Sequence, residues 1–551
     1  MLFWNDSQPD YKKSVSYKVA YVSCIFILLF LWYRWQSNLS SVMDILAADE
    51  AEYLRNGISL FGKLYKDWGP SYNIWYKFLS LFAHTKVELY YLNYSVTAIL
   101  SALLLFIVLE KYEIHITVAL FISGLFFLSE INIQTWPRVS HFVFTLILCG
   151  LFFAKYLRYN TQKLFLFSAI AIIAAYARPE IRPFAFILFA ISCLLWFKEK
   201  APVKSVLFYV ITAAFVFIAF QLIYGSPASF YRGNVDRMYI AFCQHVAINQ
   251  MVHFHDKSVD AMAGWRIYAD KIFPHCDTFT CILKTYPEAI FQNIWLNISN
   301  YFVTIITTLG SFLFPVILIP KQKIFMAVCT VMILLLLIFL IYKPFRIQLI
   351  DALKKYKWQF LAMFIIGLPS MITSILIFPR LHYILCHIFL FIFILAFILS
   401  VLHRTLKLPN YSILLVAVFF IVIAPTAQNY RFFRSNKDLA NLCSQKYIAY
   451  FNKDDKKQHV IFSDILNFSY MLPDNYSDFS VEYSFKKGMQ FDSIRRKDNI
   501  DVILVNENIL KNPYLLNDGT WHNFLQHYDE YGFEKKAVYN ECNIYLLQKK
   551  Q

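Results

Sequence analysis

YKVAYVSCIFILLFLWYRWQSNLSSVMDILAADEAEY (Tyr17–Tyr53) joins an apolar stretch of membrane-helix length to a run with two adjacent carboxylates. The apolar part, about residues 17–35, is long enough to cross a bilayer, because ~20 helical residues span a ~30 Å hydrocarbon core. It has no A-x-A cleavage site, and Lys12, Lys13 and Lys18 crowd its N-terminal side. It therefore reads as a retained signal anchor with a cytoplasmic N-terminus. Asp49 and Glu50 follow it directly. Desolvating carboxylates is costly, so a pair held beside a span points to use rather than accident. A third acid, Asp67, stands in DWGPSYNIWY, where a turn feeds an aromatic helix.

The rest of the chain supports the membrane reading. Of 551 residues, 58% are hydrophobic and only 16% charged, against about a quarter charged in soluble domains. The net charge of +16 could suggest nucleic acid, but the basic residues are scattered through short loops between apolar spans. Loops of that kind set topology and touch anionic lipid. Nucleic acid is thus not an expected partner, whereas membrane lipids are.

Further apolar runs lie near 89–109, 114–131, 140–157, 163–177, 183–197, 204–224, 301–320, 324–342, 358–378, 381–401 and 411–427. With the N-terminus inside, Lys111, then Lys155, Arg158 and Lys163, then Lys198, Lys200 and Lys204 mark cytoplasmic loops. Counting every run as a crossing would put Lys343, Arg346, Lys354, Lys355 and Lys357 outside. The rule is obeyed if 301–320, which holds Gly310 and Pro315 and ends at Pro320, does not cross. The fold expected is a polytopic α-helical membrane protein of about 11 spans, with 12 or 13 as neighbouring counts.

This scheme divides the chain into a transmembrane domain, 1–427, and a C-terminal non-cytoplasmic α/β domain, 428–551. The outer face then carries a first loop at 36–88 and a large loop at 225–300. In the tail, HVIFSDIL, DVILVNENIL and AVYNECNIYLLQ read as strands. Cys443 and Cys542 bracket the tail and could close it by a disulfide. In the large loop Cys276 could pair with Cys281, or either with Cys243, leaving one odd.

Charged residues from distant segments meet on this outer face. The first loop offers Asp44, Asp49, Glu50, Glu52 and Asp67, the third offers Arg138 and His141, and ARPEIRP supplies Arg178, Glu180 and Arg182. FPRLHY adds Arg380 and His382. Carboxylates can handle a hydroxyl or a metal while guanidinium groups hold phosphate in two-pronged fashion. Plainer readings stand beside these. Any one arginine could anchor a helix end to lipid, the acid pair could cap a loop helix, and Arg178 could pair with Glu180 within a rigid turn. His253 and His255 form an HxH that could bind metal, but a solvated loop is the more frequent outcome.

DEAEY (Asp49–Tyr53), DWGPSYNIWYKFL (Asp67–Leu79), ARPE (Ala177–Glu180) and PRLHYIL (Pro379–Leu385) together resemble motifs of the GT-C superfamily of membrane glycosyltransferases. That group includes the protein O-mannosyltransferases and the lipid A aminoarabinose transferases. The resemblance covers about residues 40–200 and, more thinly, 370–400. It implies an integral protein of a bacterial inner membrane, with its site facing the periplasm or exterior. It also implies a polyprenyl-phosphate-linked sugar as donor, and a lipid, glycan or protein acceptor. Asp49 would be the catalytic base with Glu50 beside it, and Arg178, Arg380, Arg138 and His382 would hold the donor phosphate. Tyr53, Tyr72 and Glu180 would contact substrate, and Asp67 would help hold a divalent metal. One departure is Trp68, which stands where relatives carry a phosphate-contacting lysine. Two other classes remain open: a flippase for a lipid-linked saccharide, and an O-antigen ligase or polymerase using arginines and a histidine in a large loop. Transporters concentrate charge near the midplane, whereas here it gathers at one face.

Overall fold

The computed structural model describes residues 12, 14–60, 69–226, 231–232, 235–255, 264–313, 330–331, 334–335, 337–339, 341–430, 441–451, 457–465, 467–485, 488–539, 542 and 544–550. It is mostly helical (74%), with a small C-terminal sheet. In chain order the helices that build the main body are α1 (Val15–Gln36), α2 (Ala48–Ile58), α3 (Pro70–Leu79), α4 (Lys86–Lys111), α5 (Ile116–Leu128), α6 (Glu130–Ile133), α7 (Val139–Ala154), α8 (Asn160–Ala175), α9 (Arg182–Glu199), α10 (Val203–Tyr224), α11 (Arg237–His253), α12 (Trp265–Ile272), α13 (Phe279–Thr285), α14 (Pro287–Leu313), α15 (Lys343–Lys355), α16 (Lys357–Leu376), α17 (Leu381–Thr405) and α18 (Ser412–Ile423).

Among the described residues, seven helices are long and apolar enough to cross a membrane: α1, α4, α9 with the turn before it, α10, α14, α16 and α17. Four shorter apolar helices, α5, α7, α8 and α18, accompany them. Local chemistry starts the long ones. Ser14 accepts from the Tyr17 amide at the head of α1, and Thr85 and Glu88 exchange side-chain and backbone hydrogen bonds ahead of α4. The outer faces of the bundle are greasy. In the most apolar stretch of α10 only 11% of residues are buried, and Phe208, Phe215 and Leu222 are largely exposed. A surface of that kind is compatible with an integral membrane protein and poorly suited to water.

The apolar runs near 89–109, 140–157, 183–197, 204–224 and 381–401 coincide with α4, α7, α9, α10 and α17. The part of the run 301–320 up to Leu313 is instead the second half of the 27-residue α14, whose first half is amphipathic and carries Asn293 and Asn297. Residues 314–320 and most of 324–342 lie outside the described residues.

The large loop folds on its own small core of Tyr239, Phe242, Val246, Trp265, Tyr268 and Phe273, with a Cys276–Cys281 disulfide and Cys243 free and buried. Asn249 ties α11 to α14 by donating to Asn293 (2.7 Å) and Asn297 (2.9 Å). A two-stranded ribbon, β1 (Tyr231–Arg232) with β2 (Val235–Asp236), leads into α11.

The tail holds a five-stranded sheet made of β3 (His459–Ser463), β4 (Tyr476–Ser480), β5 (Val502–Val505), β6 (Phe533–Tyr539) and β7 (Ile544–Lys549). The order is β4-β3-β5-β7-β6, parallel across β4, β3 and β5 and antiparallel across β5, β7 and β6. Alternate residues explain its burial. Ile461, Val502, Leu504 and Leu546 join the cluster continuous with the helical body, while Phe462, Ile503, Val505 and Leu547 pack with Phe491 and Trp521 on the other face. Cys443 and Cys542, 99 residues apart, are joined by a disulfide. The expected strand AVYNECNIYLLQ is two strands of a hairpin, β6 and β7, and the polar β4 is an additional strand. Both differences have one cause: polar residues interrupt β4 (Ser477, Asp478, Ser480) and the start of β6 (Glu534, Lys535, Lys536), so neither shows a clean apolar run.

Candidate functional site

The first loop, the large loop and the tail converge on one end of the bundle. Asp44 accepts from the Ser444 and Gln445 amides (2.8 and 3.1 Å), Asn467 donates to the Ala48 carbonyl (3.1 Å), and Lys86 reaches Asp474 (3.0 Å). Burial pushes the Asp44 carboxyl up, and the amides it accepts from pull it back in part. Tyr514 of the tail donates to Asp270 of the large loop at 2.6 Å.

At this end α2 lies against α3 and the start of α4. Gly57 makes the approach possible, because a Cβ there would meet the Asn73 carbonyl and the Tyr76 side chain. Gly69, at φ +49°, turns the chain into α3 between the Tyr53 ring and the Ala177 carbonyl. The Ser71 amide also donates to the Tyr176 carbonyl (3.4 Å). The turn after Asp67 is thus seated on the turn that carries Arg178. Asp67 and Trp68 themselves lie outside the described residues.

Helical phase separates the two adjacent acids. Glu50 points inward and is fully buried. Its Oε1 accepts from Tyr72 (2.6 Å), Tyr76 (2.5 Å) and Asn93 (3.1 Å), and its Oε2 accepts from the Arg138 amide (2.8 Å). Burial pushes the Glu50 carboxyl up, opposed by the tyrosine hydroxyls and the Arg138 amide and charge. Burial and the Glu50 charge hold the Tyr72 and Tyr76 hydroxyls protonated. Arg138 is also buried: Nε donates to Thr97 (3.1 Å), Nη1 to the Asn132 and Thr135 carbonyls, and the guanidinium lies over the Tyr94 ring at 4.4 Å. Asp49, by contrast, is half-buried on the α2 flank, one turn before Tyr53, whose ring meets Tyr72 edge-on (5.1 Å). Glu52 points toward the tail, where it accepts from Asn467 (3.3 Å).

A second cluster surrounds Tyr383. Arg178 lies over its ring at 4.9 Å and Arg380 at 5.9 Å. Arg178 pairs with Glu180 (2.5 Å) and donates to Ser140 (3.1 Å), which donates to the His382 carbonyl (2.6 Å). Burial would lower the Arg178 pKa, but Glu180 and the electron-rich Tyr383 outweigh it, so the net shift is upward. Arg380 donates to Nε2 of His245 (3.1 Å), which places that ring's proton on Nδ1. Burial and Arg380 hold His245 well below the ordinary histidine range, so it is neutral. Among the described residues, Arg380 Nε and His245 Nδ1 are buried with no acceptor.

The structure therefore brings Arg178, Glu180, Arg380 and His382 together, and links them through Ser140, Gly69 and Tyr53 to α2 and Asp49. It sets Glu50, Tyr72 and Arg138 apart in a closed network behind that surface. Tyr76, Asn93, Thr97 and His245 belong to the site without having been singled out in the sequence. Asn93, Thr97 and Ser101 form an i, i+4, i+8 polar stripe on apolar α4, which is a readable signal; His245 has none. His253 ends α11 and meets Asn300 (3.0 Å). Among the described residues, no three His, Cys, Asp or Glu side chains are grouped to hold a metal. No protein-family model matches this chain, and no curated protein does either.

Proposed function

We propose that this protein is an inverting membrane glycosyltransferase that moves a sugar from a polyprenyl-phosphate donor to an acceptor hydroxyl. The observation that carries the reading is the pair of arginines over the Tyr383 ring, beside the buried Arg380 Nε and His245 Nδ1 that have no protein acceptor among the described residues. Fixed, desolvated donors suit the charge that develops on a leaving phosphate. Asp49 is the base, as the acid on α2 that is only half-buried. It takes the proton of the acceptor hydroxyl, whose oxygen forms a bond to the anomeric carbon. The carbon–oxygen bond to phosphate breaks, its electron pair stays on the phosphate, and configuration inverts. Arg178 and Arg380 hold that phosphate, and Glu50, Tyr72 and Arg138 position α2.

The membrane frame belongs to the same proposal: about eleven crossings, with the first loop, the large loop and the tail on the non-cytoplasmic side. Contacts among these three regions support a shared side. Asp49→Asn is expected to lower transfer by about 100-fold or more while the protein remains folded, measured with a radiolabelled polyprenyl-phosphate sugar. Full activity would refute the base. A second reading, a ligase-type enzyme relying on arginines and a loop histidine, gains from the contact of His245 with Arg380. In that case His245→Asn abolishes transfer while Asp49→Asn does not.

A further inference from the structure

At the end of the bundle away from Asp49, Glu113 gathers cations from three helices. Lys355, the last residue of α15, lies 2.6 Å from its carboxylate, and Lys155, just after α7, lies at 3.4 Å. Arg404, near the end of α17, donates to the Glu113 carbonyl. Beside this cluster opens a cleft of about 290 Å³, close to the ~300 Å³ at which small-molecule sites begin. Its walls are of two kinds. Tyr112, Phe397 and Val401 are apolar, while Gln348, Lys355, Arg404, Glu113 and Asp351 are polar or charged. Such a lining suits a molecule with a charged head and an apolar continuation.

Donors point to the head. Lys355 and Arg404 line the cleft together with two acids, Glu113 and Asp351, and Lys155, outside the lining, is a third cation against Glu113. The Arg404 guanidinium has five N–H donors, and among the described residues it gives one hydrogen bond, to the Glu113 carbonyl. Its fork is therefore available to two oxygens of one phosphate. The depth of the cleft follows from α15. This helix buries Phe345 and Leu349, leaves Ile347 and Ile350 exposed, and carries Lys343, Arg346, Lys354 and Lys355. A basic amphipathic helix with exposed isoleucines lies in the bilayer interface, at headgroup level.

We infer that this cleft binds the headgroup of an anionic phospholipid. Arg404 and Lys355 hold the phosphodiester, and Phe397 and Val401 pack against the glycerol and the start of the chains. The site depends on the membrane frame but not on sugar transfer.

The test uses the full-length protein, stripped of lipid in detergent and titrated with phosphatidylglycerol, phosphatidylcholine and glycerol 3-phosphate. Bound molecules are counted by native mass spectrometry. Phosphatidylglycerol should bind in preference to the other two, and Arg404→Gln with Lys355→Gln should weaken it by about tenfold or more, as expected for lost charged hydrogen bonds. The charge-matched pair Lys343→Gln with Lys354→Gln, on α15 but outside the cleft, should bind as the natural protein does. Arg404→Gln alone leaves the Lys355–Glu113 pair intact and carries the test if the double variant fails to fold. Equal loss in both double variants, undiminished binding in a folded Arg404→Gln protein, or equal binding of phosphatidylcholine would each overturn the inference. Displacement of the lipid by equimolar glycerol 3-phosphate would also overturn it, by assigning the cleft to a soluble phosphate.

Discussion

Asp478 on β4 accepts the Ser469 amide through both carboxylate oxygens, at 2.9 and 3.1 Å. Burial pushes its pKa up to about 6, against the pull of the Ser469 hydrogen bonds and the Arg55 charge. A raised carboxyl pKa means that the folded state holds the proton more tightly than the unfolded chain. Its stabilising contribution is complete below the unfolded value of ~3.9 and is lost as pH rises through about 6. Asp478→Asn should therefore raise the melting temperature above pH 6 and flatten the decline between pH 4 and 6, as read by thermal unfolding. A slope identical to that of the natural protein would clear Asp478 of this role. Asp49 and Glu50 show where the sequence stops being legible at this scale. As letters the two acids are equivalent, and a carboxylate pair beside a span does not say which of the two is buried. What separates them is the 100° step of a helix and partners 22 to 88 residues away along the chain. No spacing rule reaches that far, and the same holds for His245 and Arg380, 135 residues apart.

The helices were largely readable because their apolar runs are long. Less readable were elements whose burial comes from neighbours that only folding supplies. The antiparallel strands β6 and β7 read as one strand since the sequence between Tyr539 and Ile544 carries no glycine or proline to mark a break. In α14, amphipathic and apolar halves merge into one 27-residue helix, so an apolar window alone misses where it begins. The contact of α2 with α3 depends on a single small residue. Gly57→Ala would press a methyl group into the Asn73 carbonyl and the Tyr76 side chain. Overpacking of that kind costs about 1–3 kcal/mol, and the shift would reach Glu50 through Tyr76. We expect a lower melting temperature together with reduced transfer. A Gly57→Ala protein as stable and active as its parent would show that the two helices separate without consequence.

Across the whole molecule, charge distribution along the sequence leads to the expectation that the first loop, the large loop and the tail share one side, and in the structure the tail contacts both loops. It could not anticipate which surfaces touch, because Asp44 meets residues about 400 positions later, at Ser444 and Gln445. The orientation is open to a direct test. A reporter fused after Gln551 that works only outside the cytoplasm should be active, and a cytoplasmic signal would reverse the assignment of sides. Glu50 also bears on how sequences of this kind can diverge. Its four hydrogen bonds come from Tyr72, Tyr76, Asn93 and Arg138, on three different segments beyond its own helix. The Arg138 bond comes from its backbone amide and survives exchange of that side chain, whereas exchange of Tyr72, Tyr76 or Asn93 leaves a buried group without its partner, so these three and Glu50 should behave as one inherited character, kept together or replaced together. Lineages that lose Glu50 yet keep Tyr72, Tyr76 and Asn93 would contradict this. Under the proposed mechanism Asp49 would be kept as the base, and it takes no part in these four hydrogen bonds.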